Sequence, residues 1–273
     1  MGCLTDDKVG MDLSNRMNDE MNAIVKHWSI WLMLGSQDIK LRYRRSVIGP
    51  FWITISMVVT IYSMGFLYGH LFKVNLENYF PYLASGVIGW SFISVLILES
   101  SNAFIEAESY IKNQDSYMSI FMMRLVLRNI IILMHNMLAF IPIIFIFHSG
   151  VSFNMLFLVP GVFLIAINAV FWGTLVGIVG TRYRDFTQII NSLIQVVFFL
   201  TPIMWMPNLL PEKYQWIAEY NPFNLFLNLI RAPLMNEVIG LHNVVAVLLI
   251  SILGFLLYAR YLRKYKHCIV FWL

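Results

Sequence analysis

The sequence predicts an all-α membrane protein: six transmembrane helices, an N-terminal amphipathic interface helix, and a re-entrant helix pair on the outer side between spans five and six. Three observations carry that prediction. Of 273 residues, 59% are hydrophobic and 12% are charged, against roughly 45–50% apolar and about 25% charged in soluble domains. Several long runs carry no formal charge at all, and a helix needs about 20 apolar residues to cross ~30 Å of hydrocarbon. Finally, Lys and Arg gather in alternate connections between those runs, the pattern that fixes orientation in a bilayer.

The elements follow in chain order. The opening segment sets Lys8 and Arg16 against Asp6, Asp7, Asp12, Asp19 and Glu20 with no apolar stretch, so it is not expected to be a cleavable signal peptide. Next, Ile24, Trp28, Trp31 and Leu32 fall on one helical face, with Lys26 and Asp38 off it, which suits a helix lying in the headgroup layer. Lys40, Arg42, Arg44 and Arg45 then stand directly before the first charge-free run, Ser46 to Phe72. The second span is Asn78 to Leu98, bounded by Glu77 and Glu99. Nothing charged lies between Arg128 and Arg182, too long a run for one helix, and the polar, turn-like residues 148–154 divide it into spans three and four. Span five is expected from Phe186 to about Trp205, and span six from about Ile239 to Ala259. Between them, residues 206–238 have apolar pieces too short to cross and are interrupted by Pro207, Pro211, Pro222 and Pro233. Such pieces are typical of re-entrant or interfacial helices.

With a cytoplasmic amino terminus and six crossings, every Lys and Arg except Lys73, Lys213 and Arg231 falls on the cytoplasmic side. Both termini are therefore expected there. The chain is expected to form one transmembrane domain: residues 1–45 as cytoplasmic terminus and interface helix, 46–260 as the membrane region, 261–273 as a cytoplasmic tail. The net charge of +4 is explained by this orientation, so no nucleic-acid partner is expected. Cys3 and Cys268 form no metal-like spacing and are expected to be free thiols in a reducing compartment.

Enzymatic chemistry finds little footing. There is no phosphate-cradling G-x-x-x-x-G-K-[ST] loop and no H-E-x-x-H or Cys/His set. Ser85 lies in an A-S-G run and His135 in span three, but small residues in membrane helices usually serve close packing. Ion-coupled transport would place acids at mid-membrane, whereas Glu99, Glu106, Glu108 and Asp185 gather at helix ends. Residues 99–124 mix charge and aromatics between spans two and three, where a short amphipathic helix would insert into a groove on a soluble partner.

Four stretches then carry a resemblance over nearly the whole chain: LRYRRSVIGPFW (41–52), GTRYRDFTQI (180–189), FFLTPIMW (198–205) and YNPFN (220–224). In their order, on a six-span plan, the chain resembles the permease subunits of bacterial type-two ABC exporters that move lipid-linked polysaccharides such as O-antigen, capsule or teichoic acid precursors. The resemblance implies a homodimer in the cell inner membrane with two copies of an ATPase subunit, which uses ATP and magnesium while this chain binds no cofactor. It implies a lipid-linked polysaccharide as substrate, most readily O-antigen. ATPase coupling then falls to Glu106, Glu108, Tyr110, Asn113 and Asp115. A cytoplasmic gate meeting a pyrophosphate falls to Arg42, Arg44, Arg45, Arg182, Arg184 and Asp185, since the planar guanidinium donates paired hydrogen bonds to phosphate. Trp52, Tyr62, Phe66, Trp90, Phe198 and Phe199 are expected to line a passage in which sugars stack on aromatic rings. The competing reading, a membrane enzyme acting on lipid-linked sugars, lacks outward-facing acid and base residues at helix ends.

Overall fold

The computed structural model of the chain describes residues 13–113, 117–147, 150 and 152–273. Among them the regular structure is helical throughout. Two helices open the chain, α1 (Leu13–Lys26) and α2 (Trp28–Arg42), followed by α3 (Phe51–Leu71) and α4 (Leu76–Ser100). Short α5 (Ala103–Glu106) and α6 (Glu108–Asn113) precede α7 (Met118–Met137), which runs through a tighter turn at Leu138–Phe140 into α8 (Ile141–Ile146). Then come α9 (Leu158–Arg182), α10 (Phe186–Leu200), α11 (Trp216–Glu219), α12 (Pro222–Leu234) and α13 (Leu241–Trp272).

Among the described residues, five helical segments are long and apolar enough to cross a membrane: Phe51–Leu71, Leu76–Ser100, Met118–Ile146, Phe153–Arg182 and Leu241–Leu262. The long uncharged run between Arg128 and Arg182 is divided between Ile146 and Phe153, where the polar cluster predicts. The tightening at Leu138–Phe140 has a local cause: Pro142 has no N–H to offer the Leu138 carbonyl. The expected fifth span differs from expectation. Its helix, α10, covers only 15 residues, about 22 Å at the helical rise. Thr201 stands before Pro202, a position biased away from helix, and adopts φ −91°, ψ 135°. A charge-free run gives no sign of where backbone hydrogen bonding stops.

The centre of the bundle is α4, whose residues Tyr79–Gly86 are all buried. It packs on α3, α7, α9, α10 and α12, while α13 lies along α9. Small residues set the closest approaches: a Cβ on Gly173 would fall 2.5 Å from Ser100 Oγ, and one on Gly177 would fall 2.9 Å from Phe104 and 3.0 Å from the Ser100 carbonyl. This is how helices pack without a hydrophobic driving force between them. Between α10 and α13, the expected pair of short helices takes the form of two 3-10 turns, four-residue α11, and α12. Of these, α12 is largely buried against α4, α9 and α13.

At the amino terminus the expected continuous apolar face is broken. The helix is interrupted at His27, and the Trp31 indole donates to the Ile24 carbonyl at 2.8 Å. On α2, Gly35 and Ile39 turn toward α7, while Trp28, Leu32 and Met33 are exposed. The carboxyl-terminal residues 261–272 continue α13 as helix. Cys268 is buried and is not the free thiol expected, while Cys3 lies outside the described residues. Packing of α1 on α13 makes the first and last helices among the described residues neighbours, which separation along the sequence conceals.

Candidate functional site

The end of the bundle where α2, α4, α7 and α9 bring their charges together is the charged end. Asp38 on α2 accepts two hydrogen bonds from Arg124, Nε at 2.8 Å and Nη2 at 2.6 Å, and a third from Arg128 Nη1 at 3.2 Å. Arg128 Nη2 donates to Glu99 at 2.9 Å, Asn129 donates to the same oxygen at 2.6 Å, and Arg42 stands 3.8 Å from Glu99. One network therefore ties α2 to both α4 and α7. Arg44 and Arg45 are exposed beside it. A second clamp centres on Glu20, which is 1% exposed. It accepts from the Ser119 N–H at 3.1 Å and hydroxyl at 2.8 Å and pairs with Lys266 at 2.8 Å. This joins α1 and α13 to the start of α7.

The expected coupling segment lies between these clamps. Ala103 and Phe104 bury one side of α5, leaving Glu106 exposed. Glu108 pairs with Lys112 at 2.6 Å; that hydrogen bond and charge, with a smaller contribution from Arg184, hold its carboxyl below the usual carboxylate value. Tyr110 is exposed with its ring 6.1 Å from that of Phe121. Asn113 closes α6, and Asp115 lies outside the described residues. Thr187 donates to Asn102 at 3.0 Å, which puts the loop 182–185 next to this segment. In that loop Arg184 and Asp185 are exposed, and the Arg182 guanidinium lies 4.8 Å from the Trp272 ring centre.

Along the bundle, two helices carry polar groups on their outward faces. On α3, Trp52, Ser56, Thr60, Ser63 and Phe66 are all exposed and recur at helical spacing on one face. On α10, Gln188, Ser192, Gln195 and Phe199 are exposed and form a stripe at i, i+4, i+7 and i+11. By contrast, the outward face of α13 between Val245 and Leu256 is Val, Leu and Ile. The hydroxyls of Ser56, Thr60 and Ser192 donate to carbonyls of their own helices, but the amides of Gln188 and Gln195 would be costly facing hydrocarbon, so the stripes suit water, a polar ligand or another protein surface. Both helices pack on α4.

Three of the six expected lining rings thus stand in the stripes, Trp52 and Phe66 on α3 and Phe199 on α10. The others stand behind. Tyr62 is half-buried with its ring 5.8 Å from that of Phe80. Trp90 is 7% exposed, between Phe198 at 5.9 Å and Phe223 at 6.0 Å. Phe198 also meets Phe199 edge-on at 5.3 Å. The polar members of the stripes escape a reading built on aromatics, although their spacing was a usable signal.

Just beyond α10, residues 201–206 are not helical, yet carbonyls here and at the end of α10 are met by side chains. Asn221 donates to the Leu200 carbonyl at 3.2 Å, Tyr79 to that of Met204 at 2.7 Å, and Tyr82 to that of Pro202 at 2.9 Å. Ser85 donates to the Tyr82 carbonyl at 2.9 Å, a packing role with no base beside it. His135 is likewise engaged with its own helix, at the Ile131 carbonyl.

Comparison with known proteins gives the class of this multi-helix body with its charged, clamped end and two polar stripes. The model of the ABC-2 type transporter family matches residues 30–235, and the chain belongs to that family. Among curated proteins it is similar to two from Klebsiella pneumoniae, each named O-antigen export system permease protein RfbA. One is 26% identical over 236 residues, covering 84% of this chain and 88% of the relative. The other is 26% identical over 201 residues, covering 71% and 76%.

Proposed function

We propose that the chain is the membrane subunit of an ATP-driven exporter that carries lipid-linked polysaccharide, O-antigen foremost, outward across the bacterial inner membrane. The permease works as a homodimer with two copies of a nucleotide-binding subunit that uses ATP and magnesium. Six crossings place both termini in the cytoplasm, α2 in the headgroup layer, and residues 206–238 on the outer side with α12 re-entrant. The fifth crossing joins α10 to the non-helical residues after it, which turn back on themselves where the Ile203 N–H bonds the Thr201 carbonyl at 2.7 Å. Irregular backbone at that depth requires protein partners for its carbonyls, which Tyr79, Tyr82 and Asn221 provide.

The observation that carries the reading is the pair of exposed polar stripes on α3 and α10. A glycan needs hydroxyl and amide partners for its own hydroxyls and rings for its apolar faces, and the stripes offer both. Because α3 and α10 each pack on α4, a passage walled by both is completed by a second copy of the chain. The charged end receives the ATPase at Glu106, Glu108, Tyr110, Asn113 and Asp115. Arg42, Arg44, Arg45, Arg182 and Arg184, with Asp185 beside them, meet the pyrophosphate of the incoming lipid carrier. Similarity to permeases named for O-antigen export supports the choice of substrate.

The test is export of surface polysaccharide by Ser192→Leu/Gln195→Leu. Making the α10 stripe apolar suits lipid and opposes a sugar chain, so export should fall about tenfold, the consequence of two or three lost polar contacts. Normal export would remove α10 from the passage.

A further inference from the structure

The most demanding buried group in the molecule is Arg231 on α12. It is 5% exposed, and its hydrogen-bond partners include no carboxylate: Nη1 donates to the Tyr82 hydroxyl at 3.1 Å and Nη2 to the Pro202 carbonyl at 2.7 Å. Its guanidinium lies 4.0 Å from the centre of the Tyr82 ring, while Nε has no partner. Room for it is made by an absent side chain, since a Cβ on Gly86 would fall 2.5 Å from Nη2 and 3.0 Å from the Ile203 carbonyl. A buried cation is expensive, and apolar residues of similar volume often serve stability better. What this one does is bind the backbone just beyond α10, the segment that has lost its helical hydrogen bonds.

We infer that Arg231 is a positioning residue of the passage: it fastens the broken end of α10 to α12 and α4, so that the mouth at that end holds one closed arrangement at rest. The inference rests on the reading that α10 lines the passage. The geometry separates fastening from filling. Tyr82 carries the guanidinium on its ring and accepts from it, while the same hydroxyl donates to the Pro202 carbonyl, so one residue of α4 and one of α12 grip the same peptide group. A methionine at 231 would fill the space and release the grip. A lysine would keep a charge and one donor but lose the planar fork that reaches both partners.

The permease, reconstituted in vesicles with its nucleotide-binding subunit and carrying a nitroxide on L200C, provides two readouts. In R231M the nitroxide spectrum should sharpen and the resting ion leak should rise at least about tenfold, the shift of a two-state equilibrium when even one hydrogen bond to a charged group is lost from one side. R231K should recover part of both. A spectrum and leak unchanged in R231M would overturn the inference and leave Arg231 a packing residue. Should R231M fail to assemble, Y82F, which keeps the ring and drops the hydroxyl, is read in the same way, and unchanged behaviour there overturns it equally. The two layers fail separately: normal export in Ser192→Leu/Gln195→Leu discards the passage, whereas the nitroxide in R231M still reports whether Arg231 holds the end of α10.

Discussion

Asp38 shows how much a single carboxylate can organise. It is 12% exposed and faces Arg124 and Arg128, which are 20% and 10% exposed. Removing it leaves two guanidinium groups without their shared acceptor, and breaking such a pair from one side costs far more than the intact pair contributes. Asp38→Asn should therefore destabilise the detergent-solubilised protein by about 2–4 kcal/mol, read as a lower unfolding temperature, with α2 released from α7. An unchanged unfolding temperature would show that α2 is held by its apolar contacts alone. Arg182 and Arg184 invite a finer substitution. Lysine preserves charge and orientation but not the paired geometry toward phosphate, so Arg182→Lys/Arg184→Lys should insert normally and export less. Full export by that variant would reduce both to anchors. None of the contacts at Asp38, Glu20 or Arg231 was legible in the sequence. Each joins residues far apart along the chain, and Arg231 counted there only as one of three cations on the minority side.

At the scale of elements, what the sequence revealed and what it hid have separate physical causes. Crossing helices need only length and apolar character, so the five long ones stand near where charge-free runs predict. Helix ends depend on backbone hydrogen bonds, and α10 stops at Thr201, before Pro202, inside a run that absence of charge alone reads as one span. The break at His27 is hidden for the same reason, since the apolar spacing of Ile24, Trp28 and Trp31 continues through it. Short α5 and α6 were legible only as a segment too rich in charge and rings for a plain turn. Their buried side, Ala103 and Phe104, anchors them on α7 and α9, and the exposed acids face outward from that anchor. Charge reversal at Glu106 and Glu108 should thus lower permease-stimulated ATP hydrolysis about tenfold, the scale of losing a close interfacial charge pair, without loss of membrane insertion. Stimulation at the normal level would redirect the contact to the loop at Arg182, Arg184 and Asp185.

For the whole molecule, orientation is the first property to measure. A thiol reagent that cannot cross the membrane should label Lys213→Cys in intact cells lacking an outer barrier and spare Lys264→Cys. The reverse pattern would invert the topology and with it the proposed direction of transport. One dimension of the fold then takes on mechanical meaning. At 32 residues, α13 is about 48 Å long, some 18 Å more than the ~30 Å hydrocarbon layer. One end is tied to α12, where Asn243 donates to the Leu225 carbonyl at 2.8 Å. The other carries Lys266 to Glu20 and Trp272 to Arg182. Such a rod behaves as a lever: a tilt of about 5° swings a tip of that length by roughly 4 Å, enough to break a hydrogen bond at the far end. A push delivered beside Arg182 would therefore arrive at α12 as a displacement, without any side chain in between having to change its conformation.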